Sequence, residues 1–254
     1  FAVSGVSGGA VGLAVTLGEG PGATTDARGS DPLTRLTDDG PLAQLIAAML
    51  LRDLPQPFVG AADGWADRAE VLETAWEEAT SGPTAGSGPL GTPESPRSID
   101  QLGAGWWKGE EPSHRPAVVL NSSSVTDGCR VLVSNVAQLP TDAGSCRSAV
   151  TTSGFPAGPI AVALDARAGL MDPEGAARLQ PGDECADLDV ANVRASTAAL
   201  MAARFPYLTP SGALRRCSEN AEHATTTDVT YGVDGGYLEN TGIPALLEIW
   251  HSVA

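Results

Sequence analysis

The sequence has little positive charge. Lys and Arg together number 15 against 31 acidic residues, Lys108 is the sole lysine, and the formal net charge is -16 over 254 residues. Such a chain repels phosphate backbones, and no basic stripe interrupts the acidic residues, so nucleic acid is excluded as an expected partner. The same charge disfavours an anionic membrane surface unless the contact is apolar.

Long hydrophobic runs are also missing. No apolar stretch reaches the length of about 18 residues that a membrane-spanning helix needs. Residues 1–17 are apolar and glycine-rich, yet they lack the positive start and the cleavage site of a signal peptide. Because the first residue is Phe1 rather than Met, we expect the sequence to begin inside a larger protein, with a hydrophobic strand already under way.

Cysteine is scarce, and its spacing argues against a metal site. The four cysteines show no C-x-x-C spacing and no neighbouring pair of histidines, so we expect no metal ion and no cofactor. A disulfide framework fits better. Of its three possible connectivities we favour Cys129 with Cys146 and Cys185 with Cys217, the sequence leaves the other two open, and buried free thiols are the alternative. Disulfides favour an extracytoplasmic or membrane-associated location, and free thiols a cytoplasmic one.

Short apolar segments alternate with amphipathic ones along the chain. Apolar runs bounded by turn residues predict strands over residues 1–4, 117–121, 130–134, 160–164 and 229–233. Apolar stripes and small-residue runs predict helices over 10–17, 41–52, 65–79, 190–204 and 244–252. Interleaved strands and helices are typical of an α/β fold, for which we expect a mostly parallel sheet. The length suits one domain, 1–254, with a flap or linker insertion around 53–115.

Several tryptophans fall near this insertion. Trp65 and Trp76 lie on the apolar stripe of the predicted helix 65–79, while Trp106 and Trp107 follow the predicted loop or linker 81–97, which is rich in Gly, Pro, Ser and Thr. Trp suits the interface between water and lipid, so these side chains are candidates for an apolar entrance to a site. Packing in the core is the alternative that we favour.

One turn in the sequence has the pattern of a catalytic nucleophile. Gly5-Val6-Ser7-Gly8-Gly9 matches G-x-S-x-G, in which a strand turns sharply into a helix and leaves the serine hydroxyl exposed above the sheet. The motif stands between the predicted strand 1–4 and the predicted helix 10–17, which is the context that it requires. Small residues are expected at these positions because the turn is strained and the backbones of strand and helix approach closely.

A serine hydroxyl needs a base to take its proton before it becomes a good nucleophile. The histidines His114, His223 and His251 are candidates, but none follows a strand in the position expected of a triad histidine. Asp234 is the better candidate, because it ends the predicted strand 229–233 and stands where open α/β sheets place their chemistry. Two glycines follow this aspartate and permit the backbone to turn tightly, Gly235 and Gly236.

These two turns together resemble one enzyme family. Patatin-like acyl hydrolases and the related cytosolic phospholipase A2 group have motifs similar to the elbow and to the segment Val233-Asp234-Gly235-Gly236-Tyr237-Leu238-Glu239-Asn240-Thr241-Gly242. Further similar stretches are 118–133, with Leu120-Asn121-Ser122 and Asp127-Gly128, the segment 193–196 leading to Phe205-Pro206, and the flap-like helix around 67–76. The resemblance spans residues 1 to 247.

The resemblance implies a three-layer α/β sandwich and a Ser-Asp dyad that uses no histidine. Carried over residue by residue, it makes Ser7 the nucleophile, Asp234 the base, and the backbone N–H of Gly8 one donor to the oxyanion. Four other glycines would support the two turns: Gly5, Gly9, Gly235 and Gly236. It also implies a main oxyanion hole in a Gly-rich loop that ends in Arg or Lys, upstream of the elbow.

The sequence departs from the family pattern at this upstream loop. Nothing precedes Phe1 here, and the glycines of 82–91 are interrupted by proline and occur in the wrong order to replace the loop. We therefore expect a patatin-like fold without its N-terminal strand and oxyanion loop. Either an upstream segment of the same parent protein is a partner in the site, or the chain has weak or no activity.

Three hypotheses of function follow. The first is a serine acyl hydrolase that cleaves carboxylic esters of lipids, as phospholipases do, through an acyl-enzyme at Ser7; its partners are a lipid or ester substrate and a membrane surface contacted peripherally. The alternative is a weak or inactive patatin-like domain that serves as a lipid-binding or scaffold module. A third is a triad hydrolase that uses His223 or His251 as its base.

Overall fold

A computed structural model describes residues 1–19, 31–37, 39–55, 58, 67–81, 88–106, 115–125, 128, 130–135, 163–165, 193–219 and 225–253. The strands in these ranges are β1 Ala2–Val6, β2 Gly91–Thr92, β3 Ser95–Pro96, β4 Ala117–Ser124, β5 Arg130–Ser134, β6 Ala163–Asp165, β7 Gly212–Glu219 and β8 Thr225–Asp234. The helices are α1 Gly8–Glu19, α2 Pro32–Thr37, α3 Asp39–Ala48, α4 Arg68–Thr80, α5 Ala195–Ala202 and α6 Ile243–Val253. A π-helical turn, Met49–Asp53, continues α3.

Six of the strands form one mixed sheet. Its order is β6-β5-β4-β8-β7, and β1 also pairs with β4. The β1/β4 and β5/β6 pairs are parallel, whereas β4/β5, β4/β8 and β7/β8 are antiparallel. The expected α/β class is therefore present, but a mostly parallel sheet was the wrong prediction for the described strands. The connections between β4 and β5 and between β7 and β8 are too short for a parallel crossover, so these neighbours run antiparallel.

Strands β1 and β8 share one edge of β4. The last residue of β1, Val6, pairs with Asn121, and the last residue of β8, Asp234, pairs with Ser122. The opposite edge of β4 is taken by β5. Two strands from distant parts of the sequence therefore end at adjacent positions along β4.

The two faces of the sheet contact different helices. On one face the alternate residues of β4 and β5 pack in the main hydrophobic cluster with α1, α4 and α5: Val118, Leu120, Val131 and Val133. On the other face, Val119 and Leu132 contact Ala245 of α6. Within the described residues, no helix is long and apolar enough to cross a membrane.

Helix α4 begins where its sequence provides a cap. The Asp67 carboxylate accepts the Glu70 N–H at 2.9 Å, so the predicted helix 65–79 is confirmed with its start at Arg68. Its buried stripe includes Leu72 and Trp76, which join the main cluster. Beyond α4, the described part of 53–115 adds three residues to that cluster: Leu90, Ile99 and Leu102.

Two other predicted helices differ from the structure, one in where it begins and one in which of its apolar side chains are buried. The predicted helix 190–204 is described from Ala195, because Arg194 has extended backbone and forms a bridge with Ser98. In the predicted helix 41–52, Leu45 is buried while other apolar side chains are exposed, namely Leu42, Ile46, Met49 and Leu50. The apolar surface of α3 is thus wider than the stripe that the described core covers.

The strand predictions also hold in part. Residues 130–134 match β5, and 163–164 of the predicted strand 160–164 lie in β6, whereas 160–162 lie outside the described residues. The predicted strand 229–233 is the end of a longer β8. Strand β7 was not predicted, since its sequence Gly-Ala-Leu-Arg-Arg-Cys-Ser-Glu has no clear apolar alternation.

Candidate active site

Ser7 occupies a sharp corner between β1 and α1. Its φ of 53° lies in the left-handed region, which costs a non-glycine residue roughly 1–3 kcal/mol. Two hydrogen bonds hold the corner: the Ser7 N–H donates to the Ala202 carbonyl at 3.0 Å, and the Ser7 carbonyl accepts the Ala10 N–H at 2.9 Å. The strand, strained serine and helix have the geometry of the predicted elbow, with the serine side chain half-buried.

The glycines of the elbow have different structural roles. A Cβ on Gly5 would lie 2.8 Å from the Ala10 Cα, so β1 and α1 approach too closely there for a side chain. A Cβ on Gly8 or Gly9 would meet no atom within 4 Å. The predicted steric requirement is therefore confirmed at Gly5 and wrong at Gly8 and Gly9, where the first turn of α1 faces open space.

Asp234 is brought to Ser7 by the end of β8. The Ser7 hydroxyl donates to its Oδ2 at 2.6 Å, and the Gly236 N–H donates to its Oδ1 at 2.7 Å. The Asp234 backbone N–H donates to the Arg204 carbonyl at 2.8 Å, and the residue is 2% exposed. Both carboxylate oxygens thus have a donor, and the side chain is fixed with one oxygen on the serine.

The two glycines after Asp234 are required by close contacts. A Cβ on Gly235 would lie 2.2 Å from the Asn121 carbonyl oxygen. A Cβ on Gly236 would lie 2.9 Å from Asp234 Oδ1 and 2.7 Å from Asn240 Oδ1. The expected support of this turn by glycine is confirmed in steric terms, because a side chain at either position would displace the carboxylate or the end of β4.

Asn121 ties the end of β4 to the elbow. Its side-chain Nδ2 donates to Ser4 Oγ at 2.7 Å and to the Gly5 carbonyl at 3.0 Å. The residue is fully buried. From the sequence, Asn121 had no predicted role in the site. Its buried amide nevertheless bonds to two residues of β1 just before Ser7, and so fixes the position of the elbow relative to β4.

Ser122 and Ser123 tie the same strand to the aspartate turn. Ser122 Oγ donates to the Val233 carbonyl at 2.6 Å, and Ser123 Oγ donates to the Gly235 carbonyl at 3.2 Å. The signal in the sequence was a run of four polar residues, 121–124, directly after an apolar strand. All four are buried, and buried polar groups need partners, so the run indicated a polar junction.

A buried ion pair lies behind the dyad, between α4 and the end of α5. Glu73 Oε1 is 3.8 Å from Arg204 Nη2, and Glu73 Oε2 accepts the Thr197 hydroxyl at 2.6 Å. Burial raises the pKa of Glu73 to about 7, while the Thr197 hydrogen bond and the Arg204 charge act in the opposite direction. Sequence reasoning did not single out this pair, because its members are far apart along the chain.

An open cleft of about 460 Å³ lies next to the aspartate turn. Its lining includes Val233, which precedes Asp234, Tyr237, which comes three residues after it, and three further apolar residues, Val125, Pro206 and Leu238. Ser123 and Ser124 lie at one side of the cleft, but both are buried and the Ser123 hydroxyl donates to the Gly235 carbonyl. The cleft therefore offers a largely apolar surface next to the aspartate turn, although neither Ser7 nor Asp234 lines it.

The histidines, tryptophans and cysteines considered in the sequence analysis do not form part of the site in the described residues. His114 and His223 lie outside the described residues, and His251 lies in α6. Trp76 is buried in the core, as we favoured, whereas the 37% exposed Trp106 donates its indole N–H to the Thr16 carbonyl at 3.3 Å. Two tryptophans and three cysteines lie outside the described residues: Trp65, Trp107, Cys129, Cys146 and Cys185. In the described part of the chain, no group of three or more His, Cys, Asp or Glu side chains is placed to hold a metal ion.

Comparisons of the chain with protein-family models, with curated proteins and with solved structures found no match. The resemblance to patatin-like hydrolases therefore rests on the sequence motifs alone and stays a prediction.

Proposed function

We propose that this chain is a serine-dependent hydrolase of carboxylic esters, with lipids as its substrates, of the patatin-like phospholipase type. One observation carries the proposal: the Ser7 hydroxyl donates to a buried carboxylate, Asp234, at 2.6 Å. A strained serine between a strand and a helix, paired with a group that can take its proton, is the arrangement of an activated nucleophile. Helices against both faces of the sheet agree with a three-layer sandwich.

The proposed reaction has two halves. Ser7 Oγ attacks the ester carbonyl carbon while its proton passes to Asp234, and the tetrahedral intermediate collapses as Asp234 returns the proton to the leaving alcohol. Water then attacks the acyl-enzyme, giving its proton to Asp234, and the acid is released as that proton returns to Ser7 Oγ. The Gly236 N–H on Asp234 Oδ1 keeps the other oxygen, Oδ2, directed at the serine throughout.

The oxyanion of the intermediate needs donors near Ser7. The N–H of Gly8 stands at the first turn of α1, where helix N–H groups lack partners within the helix and the helix dipole favours negative charge. Apart from its chain neighbours and the backbone of α1, nothing lies within 4 Å of the Cβ position of Gly8, so this turn has room for a substrate beside it. We assign the Gly8 N–H as one oxyanion donor.

A lipid is the substrate class that fits the cleft. Val125, Pro206 and Leu238 give it an apolar wall suited to a hydrocarbon chain. The net charge of -16 favours neutral or zwitterionic lipids over anionic ones.

The test compares wild type with Ser7→Ala. We expect wild type to cleave a p-nitrophenyl ester of a medium-chain fatty acid and to be labelled at Ser7 by a fluorophosphonate, and Ser7→Ala to do neither. Ser95→Ala is the matched control, because Ser95 is an exposed serine of β3, which belongs to the two-stranded sheet and not to the six-stranded sheet that carries the dyad. Equal labelling of the Ser7→Ala variant and wild type, or wild type that binds phosphatidylcholine vesicles without cleaving any ester, would contradict the proposal; the second result favours the lipid-binding module.

A further inference from the structure

The nucleophile and the base are both bonded to one short segment of backbone. The Ser7 N–H donates to the carbonyl of Ala202, the last residue of α5, at 3.0 Å. The Asp234 N–H donates to the carbonyl of Arg204, two residues further on, at 2.8 Å. The position of this segment therefore sets the position of both reacting side chains relative to each other.

Arg204 anchors the segment from within. Its guanidinium is buried, and Nη1 donates to the Pro210 carbonyl at 2.8 Å, which closes the loop after α5. Nη2 lies 3.8 Å from Glu73 Oε1. The other oxygen of Glu73 accepts the Thr197 hydroxyl, so this carboxylate joins α4 both to α5 and to the arginine after it.

We propose that Glu73 is a positioning residue for the dyad, acting through Arg204 on the two carbonyls that hold Ser7 and Asp234. The kinetic part of this inference rests on the proposed function, and the structural part does not. The ionised carboxylate fixes a buried cation whose backbone carbonyl bonds to Asp234. Without that charge the guanidinium is left buried beside a neutral group, and the segment is free to shift. Misplacement of reacting groups by about 1 Å can cost about 100-fold in rate.

The same contacts make the positioning sensitive to pH. Burial raises the pKa of Glu73 to about 7, so the carboxyl group loses its charge in mildly acidic solution. The charged groups that act on it in the described structure are Arg204, from the loop after α5, Asp67, the N-cap of α4, and Glu77, within α4. The kcat for ester hydrolysis should therefore increase as pH rises through about 7, because Glu73 gains its charge there.

Glu77 is a matched control. It lies one turn along the same helix α4, is buried, and its Oε1 accepts the Ser196 hydroxyl of α5 at 2.5 Å. It therefore joins the same two helices as Glu73, and no contact with Arg204 is among those described for it. Changing either glutamate to Gln removes one buried carboxylate from one interface, but only Glu73→Gln removes the partner of the arginine.

The experiment measures two quantities in the whole chain. The first is kcat and KM for the nitrophenyl ester between pH 5.5 and 8.5, and the second is hydrogen exchange of the Ser7 and Asp234 amides. For Glu73→Gln we expect kcat to fall about 10-fold at pH 8 with KM within about twofold, the inflection near pH 7 to disappear, and exchange of the two amides to accelerate about 10-fold or more. Glu77→Gln should keep the kcat, inflection and amide protection of wild type.

A double variant keeps the test decisive if Glu73→Gln does not fold. Glu73→Gln with Arg204→Met removes both charges at similar volume, a change that buried ion pairs often tolerate. We expect the same faster exchange at Ser7 and Asp234. Wild-type exchange, kcat and pH profile in the Glu73 variants would overturn the inference. Faster exchange in the Glu73 variants, together with equal ester cleavage by wild type and Ser7→Ala, would support the positioning role and reject the proposed hydrolase.

Discussion

Val6 and Asp234 pair with consecutive residues of strand β4, Asn121 and Ser122. The first pairing is parallel and ends β1, while the second is antiparallel and ends β8. Because Ser7 is the next residue after Val6, the register of β4 places its hydroxyl 2.6 Å from the Asp234 carboxylate. The pairing of β1 and β8 with β4 thus brings Ser7 and Asp234 together. The buried polar side chains of β4 bond to the strand before Ser7 and to the turn around Asp234.

Asp234→Asn should abolish most of the ester hydrolysis. An amide has the size of the carboxylate and can still occupy the site, but it does not take the Ser7 proton, and general bases contribute roughly 10²- to 10⁴-fold in rate. We expect kcat to fall by about 100-fold or more with an unchanged far-UV circular dichroism spectrum. Asp31→Asn serves as the control, since Asp31 is an exposed cap of α2 and Asn caps helices as well as Asp. Full activity in Asp234→Asn would reject the dyad.

The elbow predicts opposite effects of two Gly→Ala changes. Gly5→Ala places a Cβ 2.8 Å from the Ala10 Cα, and we expect a loss of about 1–3 kcal/mol in the free energy of unfolding. Gly12→Ala lies inside α1, where a Cβ meets nothing within 4 Å, so better helix propensity should add about 0.5–1 kcal/mol. Urea unfolding measures both. A neutral Gly5→Ala would mean that β1 and α1 lie further apart than described.

Asn121→Ala should lower both stability and activity. It removes two hydrogen bonds, to the part-buried Ser4 hydroxyl and to the buried Gly5 carbonyl, so we expect a loss of about 1–3 kcal/mol in the free energy of unfolding and a kcat reduced about 10-fold as the elbow shifts. Asn135→Ala is a matched control. Asn135 makes comparable bonds to Val118 and Pro116 at the other end of β4. It should lose similar stability and keep kcat, and an equal kcat loss in both variants would assign Asn121 a general structural role.

The stability of the protein should fall as pH rises through neutrality, in part because of Glu73. Its pKa is about 7 in the folded chain against an ordinary value of 4.5. Between these values the folded state binds more protons than the unfolded one, so the contribution of Glu73 is fully present below pH 4.5 and is lost as pH rises through 7. At 1.36 kcal/mol per pKa unit, the loss between pH 5 and pH 8 is about 2–3 kcal/mol.

The measurement for this prediction is the free energy of unfolding at pH 5 and pH 8, for wild type and Glu73→Gln. Wild type should lose about 2–3 kcal/mol more than the variant over that range. The same slope in both proteins would show that Glu73 titrates normally in the folded chain. The charged carboxylate thus lowers the global free energy of unfolding at neutral pH, while its proposed positioning role concerns only the local order of the segment after α5. A cost in stability at a functional group is a common relation between stability and activity.

Local sequence was enough to predict much of this fold. The strand 130–134 matches β5, and the predicted helix 244–252 lies within α6. Apolar periodicity and turn residues act over a few positions, so they predict single elements. They do not specify which strands become neighbours. The mixed sheet follows from pairings such as β4 with β8, whose residues are far apart in sequence, and β7 is held by eight paired positions on β8 rather than by its own apolar pattern.

The same limit applies to the candidate site: residues in local motifs could be predicted, and residues connected only by tertiary contacts could not. Ser7 and Asp234 could be found because each stands in a local motif of strand, turn and glycine. Arg204 and Glu73 could not be found in this way. Arg204 bonds to Asp234 through its backbone carbonyl, which any residue type could supply, and its partner Glu73 comes from a different helix. Asn121 was indicated only in part, because it is the first of four polar residues that directly follow an apolar strand in the sequence.

The pairing of Ser7 with Asp234 closes a separation of 227 residues, and this has a consequence for how activity is acquired during folding. The elbow can form as soon as β1, α1 and β4 associate, but the base arrives only with β8, the last strand of the sheet. Closing so long a loop is entropically costly, so the contact is expected late. Until then the chain carries an unpaired serine of ordinary reactivity. Ester cleavage would therefore report completion of the sheet, and a refolding assay that follows it should lag behind burial of the core.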